Sequence, residues 1–199
     1  LITITKFDAS SPVAIEAHAM TETIDISEPD YPGEGIPTLA GGRVWKQSPQ
    51  EDGEVTLEFY PIETSTQTDH VGLFQQWMGG TYDTSDPLLS DTSWTAGIDR
   101  TRDRFRISIL WTNDNSGGTE PTDADSATAA STDSLRFAAI GCRITSHKTD
   151  FTDGILKVTA TLKFPAMNEA GTVKMFRWES GDQTALGAIA AYDDEDSWT

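Results

Sequence analysis

The residues able to do covalent or metal chemistry are few in this 199-residue chain: three histidines, one cysteine and 32 carboxylates. His18, His70 and His147 fall in no paired metal spacing of the His-Glu-x-x-His kind, so ordinary surface roles are expected for them. No Gly-x-Ser-x-Gly elbow is present to raise a nucleophilic serine. The glycine pairs 41–42, 79–80 and 117–118 lie in loops, not ahead of a helix where they could cradle phosphate. General acid–base work needs a specific pair of carboxylates, and the abundance of Asp and Glu selects none. Asp114, Asn115, Asp123 and Asp125, with the run Asp193, Asp194, Glu195 and Asp196, have the oxygen chemistry for calcium. None follows the twelve-residue calcium-loop spacing, and a solvated acidic surface is the simpler reading. Cys142 sits in an alternating stretch and is expected as a small core residue, not a reactive thiol. The expectation is therefore no enzyme, no cofactor and no resident metal.

Charge narrows the partners. Lys+Arg total 14 against 32 Asp+Glu, a formal net charge of −18. Asp outnumbers Glu by 20 to 12, and Lys falls to six. Low Lys with high Asp fits a halophilic protein working in molar salt, where the Debye length falls to ~3 Å and carboxylates cease to repel at range. An acidic protein of ordinary salt is the alternative. Either way the field opposes tight nucleic-acid binding, which needs Lys and Arg to displace counterions. No apolar run approaches the ~18 residues of a membrane helix, so no membrane partner is expected. The N-terminal LITITKF lacks a basic, then apolar, leader pattern, and no secretory signal is expected. With one cysteine there is no intrachain disulfide framework.

The elements that must position these residues are mostly strands. VAIEAHAM, 13–20, alternates loosely as one strand. At 54–60, Val55, Leu57 and Phe59 face one way and Glu54, Thr56 and Glu58 the other. At 103–111, Phe105, Ile107, Ile109 and Trp111 oppose Arg104, Arg106 and Ser108. Residues 135–146 form a strand anchored by Phe137 and Ile140. At 155–164, Leu156, Val158, Ala160, Leu162 and Phe164 alternate with Lys157, Thr159, Thr161 and Lys163. Asp153-Gly154 marks a turn, so 137–151 and 155–164 read as a hairpin. A last strand is placed at 173–178. One helix is predicted at 68–80, where Val71, Phe74, Trp77 and Met78 share a face and Gly79-Gly80 can end it. The fold class expected is all-β, a β-sandwich or barrel with one flanking α-helix and long loops, in a single domain spanning 1–199.

Three excursions and an arm complete it. Residues 27–42 hold three Pro and four Gly and read as extended loop. Residues 79–102 have no period yet carry Tyr82, Leu88, Leu89, Trp94 and Ile98, more apolar bulk than a solvated loop needs. They form a candidate inter-subunit loop, or fold back on their own domain. Residues 112–134 are loop, then either a short Ala-rich helix after Pro121 or disorder. The tail 186–199 reads as a C-terminal arm. Loops 27–42 and 79–102 and the terminal arms are the exposed interaction features, and sheet edges left open by a sandwich must be paired or covered.

Two stretches carry a resemblance. GRVWKQSPQEDGEVTLEFYPIE, 42–63, precedes a short helix ending at Trp77; RFRISILW is followed by LRFAAIGCRITSHKTDFTDGILKVTATLKFPAMNEAG, 135–171. Together they resemble the tail tube (major tail) proteins of long-tailed viruses and, with this composition, those of haloarchaeal tailed viruses. The resemblance implies a homo-hexameric ring that stacks into a hollow tube. It implies a continuous inner barrel, inter-ring contacts by a long loop and the terminal arms, and genome ejection through the lumen. The implied partners are other copies of the chain, a tape-measure protein and a tail terminator; viral DNA passes without specific binding. The implied location is the virion tail, assembled in host cytoplasm. Glu54, Thr56, Glu58, Thr159 and Thr161 are the candidate lumen-facing residues. Lys157 and Lys163 share that face and could pair with Glu54 or Glu58, cancelling its positive character. The other reading is a secreted or surface β-sandwich binding module of a halophile, carbohydrate-binding, with Trp94 and Trp198 as stacking platforms.

Overall fold

Alternation along the chain is realised as strands throughout the computed structural model, which describes residues 1–7, 9, 13–16, 19–61, 103–114, 120–130, 132–152 and 155–198. Among the described residues there are ten: β1 (Ile2–Lys6), β2 (Val13–Glu16), β3 (Ala19–Ser27), β4 (Gly33–Pro37), β5 (Arg43–Gln47), β6 (Gly53–Pro61), β7 (Phe105–Thr112), β8 (Asp133–Thr152), β9 (Ile155–Phe164) and β10 (Phe176–Asp182). Eight form one curled antiparallel sheet in the order β2-β1-β7-β8-β9-β6-β3, with β10 also paired to β8; β4 and β5 pair only with each other.

The curl is built into β8. At about 3.3 Å per residue a straight strand of its length would run on the order of 66 Å, far past the core of a small domain. Instead, its first part pairs β7 and β10 through residues 133–142, and its second pairs β9 through residues 143–152. The change falls at Gly141, whose φ of 67° lies in the left-handed region. Register shifts flank it, at Phe105/Ile107 on one side and Ile144/Ser146 on the other. Such bulges bend a strand and raise its twist. Strand β8 therefore belongs to two half-sheets, β2-β1-β7-β8-β10 and β8-β9-β6-β3, and these face each other.

The core lies between them. Ile2, Ile4, Ile107, Ile109 and Phe137 from one half meet Val55, Leu57, Val158, Leu162 and Phe164 from the other. Phe137 and Phe164 have ring centroids 5.9 Å apart. The Phe164 ring lies over Gly53, leaving no room for a Cβ there. The inward residues of 54–58, 105–109 and 158–164 are those the alternation predicts, and the all-β class stands.

Five expectations change. The strand expected at 13–20 belongs to two strands, β2 and β3. Residues 27–42 are not all loop: β4 and β5 make a hairpin whose turn uses Gly41, φ 79°. The last strand is 176–182 instead of 173–178, because Met175 and Lys174 serve another contact, a bridge from Lys174 to Met167. Residues 120–130 are neither helix nor disordered but an ordered irregular strap; Asp123 caps its turn, accepting from Asp125 N and Ser126 Oγ at 2.8 Å each. The described part of the C-terminal arm packs on its own domain, with Leu186, Ile189 and Tyr192 buried. The helix expected at 68–80 and the loop 79–102 lie outside the described residues.

Candidate functional site

The half-sheet β8-β9-β6-β3 turns one side to the core and leaves the other open. Its alternating sequence places polar side chains there in rows across four strands. One row is Ser27, Glu54, Lys163 and Arg143; the next is Asp25, Thr56, Thr161 and Ser146; the third is Thr23, Glu58, Thr159 and Lys148. Asp150 and Lys157 begin a fourth. All five candidate lumen residues, Glu54, Thr56, Glu58, Thr159 and Thr161, are thus brought onto one face.

Ion pairs knit the face. Lys163 Nζ lies 3.7 Å from Glu54, directly opposite in register, and Lys157 Nζ lies 3.1 Å from Glu58, on the diagonal. Thr56 Oγ1 and Thr161 Oγ1 share a hydrogen bond at 3.2 Å. Lys148 pairs with Asp150 at 2.6 Å. Across these rows Asp25, Glu54, Glu58 and Asp150 stand against Arg143, Lys148, Lys157 and Lys163, four acids to four bases. A chain of net charge −18 therefore carries an electrically balanced four-stranded face. Exposed pairs of this kind each add little stability; what they set is the potential of the wall.

Both lateral edges of this half-sheet are open among the described residues. Strand β3 pairs only β6, and residues 143–152 of β8 pair only β9. Unpaired edges present free N–H and C=O groups to another chain.

The second exposed feature is the β4–β5 hairpin. Ile36, Leu39, Val44 and Trp45 are all exposed on it, Trp45 to 66%. A lone two-stranded hairpin is marginal in water. The sequence marks this region as an interaction feature but misses its form, since proline and glycine mask the short pairing of Gly35 with Trp45 and Ile36 with Val44. The other candidate contact residues, Tyr82, Leu88, Leu89, Trp94 and Ile98, lie outside the described residues.

Reactive chemistry is not concentrated anywhere among the described residues. No group of three or more His, Cys, Asp or Glu is arranged to hold a metal ion. Two of the carboxylates considered for calcium are engaged within the protein: Asp114 accepts from Ala129 N at 3.0 Å, and Asp125 pairs with Arg106 at 2.8 Å. Asn115 lies outside the described residues. Asp114 and Asp125 are buried, so the acidic loop 112–134 is more than a solvated surface, whereas Asp193, Asp194 and Asp196 are exposed. Burial pushes the Cys142 thiol up to about 12, against smaller opposing backbone hydrogen bonds, so it is protonated at neutral pH.

No family model matches the sequence, and no curated protein matches it. Among solved structures, the chain is similar to one from the PVC sheath/tube terminator of an extracellular contractile injection system. That match has 12% identity and a TM-score of 0.43, over 89% of this chain and 92% of the other. It is also similar to a chain of the PVC sheath–tube complex, at 10% identity and a TM-score of 0.45 over 90% and 88%. A third match is Hcp protein, at 6% identity and a TM-score of 0.37 over 89% and 97%.

Proposed function

We propose that this chain is a structural, non-enzymatic subunit of a viral tail tube, forming stacked hexameric rings around a lumen that delivers the genome. The observation that carries this reading is the open half-sheet: four strands, two free edges and a charge-balanced polar face. Joined edge to edge, β3 of one copy beside the second part of β8 of the next, six copies give 24 strands. At about 4.8 Å between strands and a tilt of about 40°, such a barrel has a backbone diameter on the order of 48 Å. That leaves room for a DNA duplex after side chains line the wall. Head-to-tail contacts of this kind close into rings when the rotation fits.

The balanced wall suits transit. Unpaired lysines would exchange counterions with phosphate and hold DNA in place; here Lys157 and Lys163 already face Glu58 and Glu54. The exposed hairpin supplies the contact between rings, covered by a second copy of the chain. Other copies, a tape-measure protein and a terminator are the partners in this reading, the virion tail is its location and host cytoplasm the place of assembly. A halophilic setting accounts for −18 elsewhere on the surface.

Electron microscopy of the purified chain at 0.15 and 2 M salt tests this. Rings or tubes with a central channel are expected. A monodisperse monomer at every concentration and both salts overturns it.

A carbohydrate-binding module has one observation in its favour, the exposed stacked pair Trp111 and Trp178, 6.1 Å between centroids. Its original platforms do not help: Trp198 lies against Arg177, 4.5 Å from guanidinium carbon to ring, and Trp94 lies outside the described residues. Glycan binding by a monomer supports this second reading.

A further inference from the structure

The outer side of the other half-sheet, β2-β1-β7-β8-β10, holds a buried polar layer that tube assembly does not explain. Arg136 is 0% exposed and Arg106 3%, beneath the strap 120–130 and the tail after Leu186. Their terminal nitrogens are all committed. Arg106 donates to Asp125 Oδ2 at 2.8 Å and to Ala190 O at 2.7 Å. Arg136 donates to Ser126 O at 3.1 Å, Gly187 O at 2.6 Å and Glu179 Oε2 at 2.6 Å. Arg177 shares Glu179, at 3.2 Å.

Two imbalances remain. Three guanidinium groups, of Arg106, Arg136 and Arg177, meet two carboxylates, of Asp125 and Glu179, leaving one excess positive charge. Among the described residues, Arg106 Nε and Arg177 Nε are buried donors without a partner; also without one are the hydroxyl Ser108 Oγ, which can donate or accept, and one acceptor of this layer, Asp125 Oδ1. The register groups them. Ser108 and Arg177 flank Ala138 in one row across β7, β8 and β10, and Arg106 follows Ser108 along the same face of β7. Ala138 offers only a methyl group between these longer neighbours. Buried donors left unpaired are costly; a water accepting from both Nε atoms and donating to Asp125 Oδ1 and Ser108 Oγ would meet the hydrogen bonds but would leave the excess charge in place.

We infer that this row binds a small monovalent anion, chloride, over Ala138, held by Ser108 Oγ and the Nε atoms of Arg106 and Arg177. One negative charge cancels the one in excess; a dianion would overshoot it. Arg177 is the partly exposed member, under the Trp198 ring, and forms the mouth. Burial lowers its pKa from the ordinary arginine value, and Arg136 and Arg106 add to that while Glu179 and Asp125 oppose it.

The test is unfolding of the full chain by urea at a fixed ionic strength of 2 M, with sodium gluconate replacing sodium chloride. A bound anion makes the unfolding constant rise about tenfold for each tenfold fall in chloride above its dissociation constant. Broadening of the ³⁵Cl resonance reports binding independently of stability. In Arg177→Gln both the chloride dependence and the broadening should vanish while the fold persists in gluconate. Equal stability in the two salts without broadening means a bound water only and overturns the proposal. So does an Arg177→Gln variant that keeps the full chloride response.

Discussion

The two half-sheets share β8, the same alternation and the same core, yet their polar faces end differently. On β6 and β9 the outward lysines and glutamates stay at the surface and pair one to one, Lys163 with Glu54 at 3.7 Å and Lys157 with Glu58 at 3.1 Å. On β7 and β8 the outward arginines are roofed over by the strap and the tail. Lysine and arginine suit these two settings for different reasons. An ammonium group on an exposed strand needs one partner and otherwise meets water. A roofed guanidinium carries five N–H groups in a fixed fork, and Arg136 engages all three of its nitrogens, with Glu179 and the main-chain carbonyls of Ala124, Ser126 and Gly187. The comparison teaches that charge alternation on a strand does not say whether its polar side is a surface; the segments that cross it do.

The largest effect should come from breaking the roofed face. Arg136→Met leaves Glu179 with Arg177 alone and takes the donor from the buried carbonyls of Ser126 and Gly187, and a loss of about 3–5 kcal/mol is expected, read by urea denaturation. Hydrogen exchange should show the strap 120–130 opening with it. A loss below about 1 kcal/mol would mean the roof contributes as little as an exposed pair.

Next is alkaline pH, which acts where β8 passes between the half-sheets. Burial lifts Cys142 from 9.0 to about 12 and Tyr192, whose hydroxyl accepts from Gly141 N at 2.8 Å, from 10.0 to about 12. Both groups ionise earlier in the unfolded chain than in the folded one. Their contribution is therefore intact below pH 9; that of Cys142 is lost from about 9 to about 12 and that of Tyr192 from about 10 to about 12, on the order of 1.4 kcal/mol per pH unit for each group within its window. Stability measured against pH should bend downward above 9, and Cys142→Ala should flatten the first part of that bend.

Lys163→Ala tests the open face. Its pair is exposed, so the cost should stay under about 1 kcal/mol and shrink further in molar salt. A cost like that of Arg136→Met would abolish the contrast between the faces. The smallest effect on stability belongs to the hairpin: Trp45→Asp should change unfolding by no more than about 0.5 kcal/mol, while the proposed tube predicts that rings of this variant fail to stack in electron micrographs. Tubes of normal length from this variant would remove the hairpin from the inter-ring contact.

Much of the open face was legible. The alternation through 54–58 and 157–163 separates core from surface, and the Lys–Glu pairing follows from two oppositely charged strands lying side by side. The roofed face was legible only as a row of polar residues, Arg106 and Ser108 among them. Its cover comes from segments far away along the chain, at a sequence separation of 51 for Arg136 and Gly187 and 120 for Thr5 and Asp125. No local pattern marks such a meeting. The acidic strap is the instructive miss: a sequence of Asp, Ala, Thr and Ser reads as solvated loop, short helix or disorder, whereas Asp125 is there for a buried guanidinium.

By itself, then, the sequence determined the strand class, the inward residues of the central strands, the β8–β9 pairing and a net charge of −18. Those properties follow from side chains two apart pointing the same way and from simple addition of charge. Tertiary structure alone decided that β8 is divided between two half-sheets at Gly141, that one polar face is roofed and the other open, and that a Pro/Gly segment closes into an apolar hairpin. The physical reason is common to all three: burial and hydrogen-bond satisfaction depend on what packs against a residue, and that partner is chosen by the whole chain.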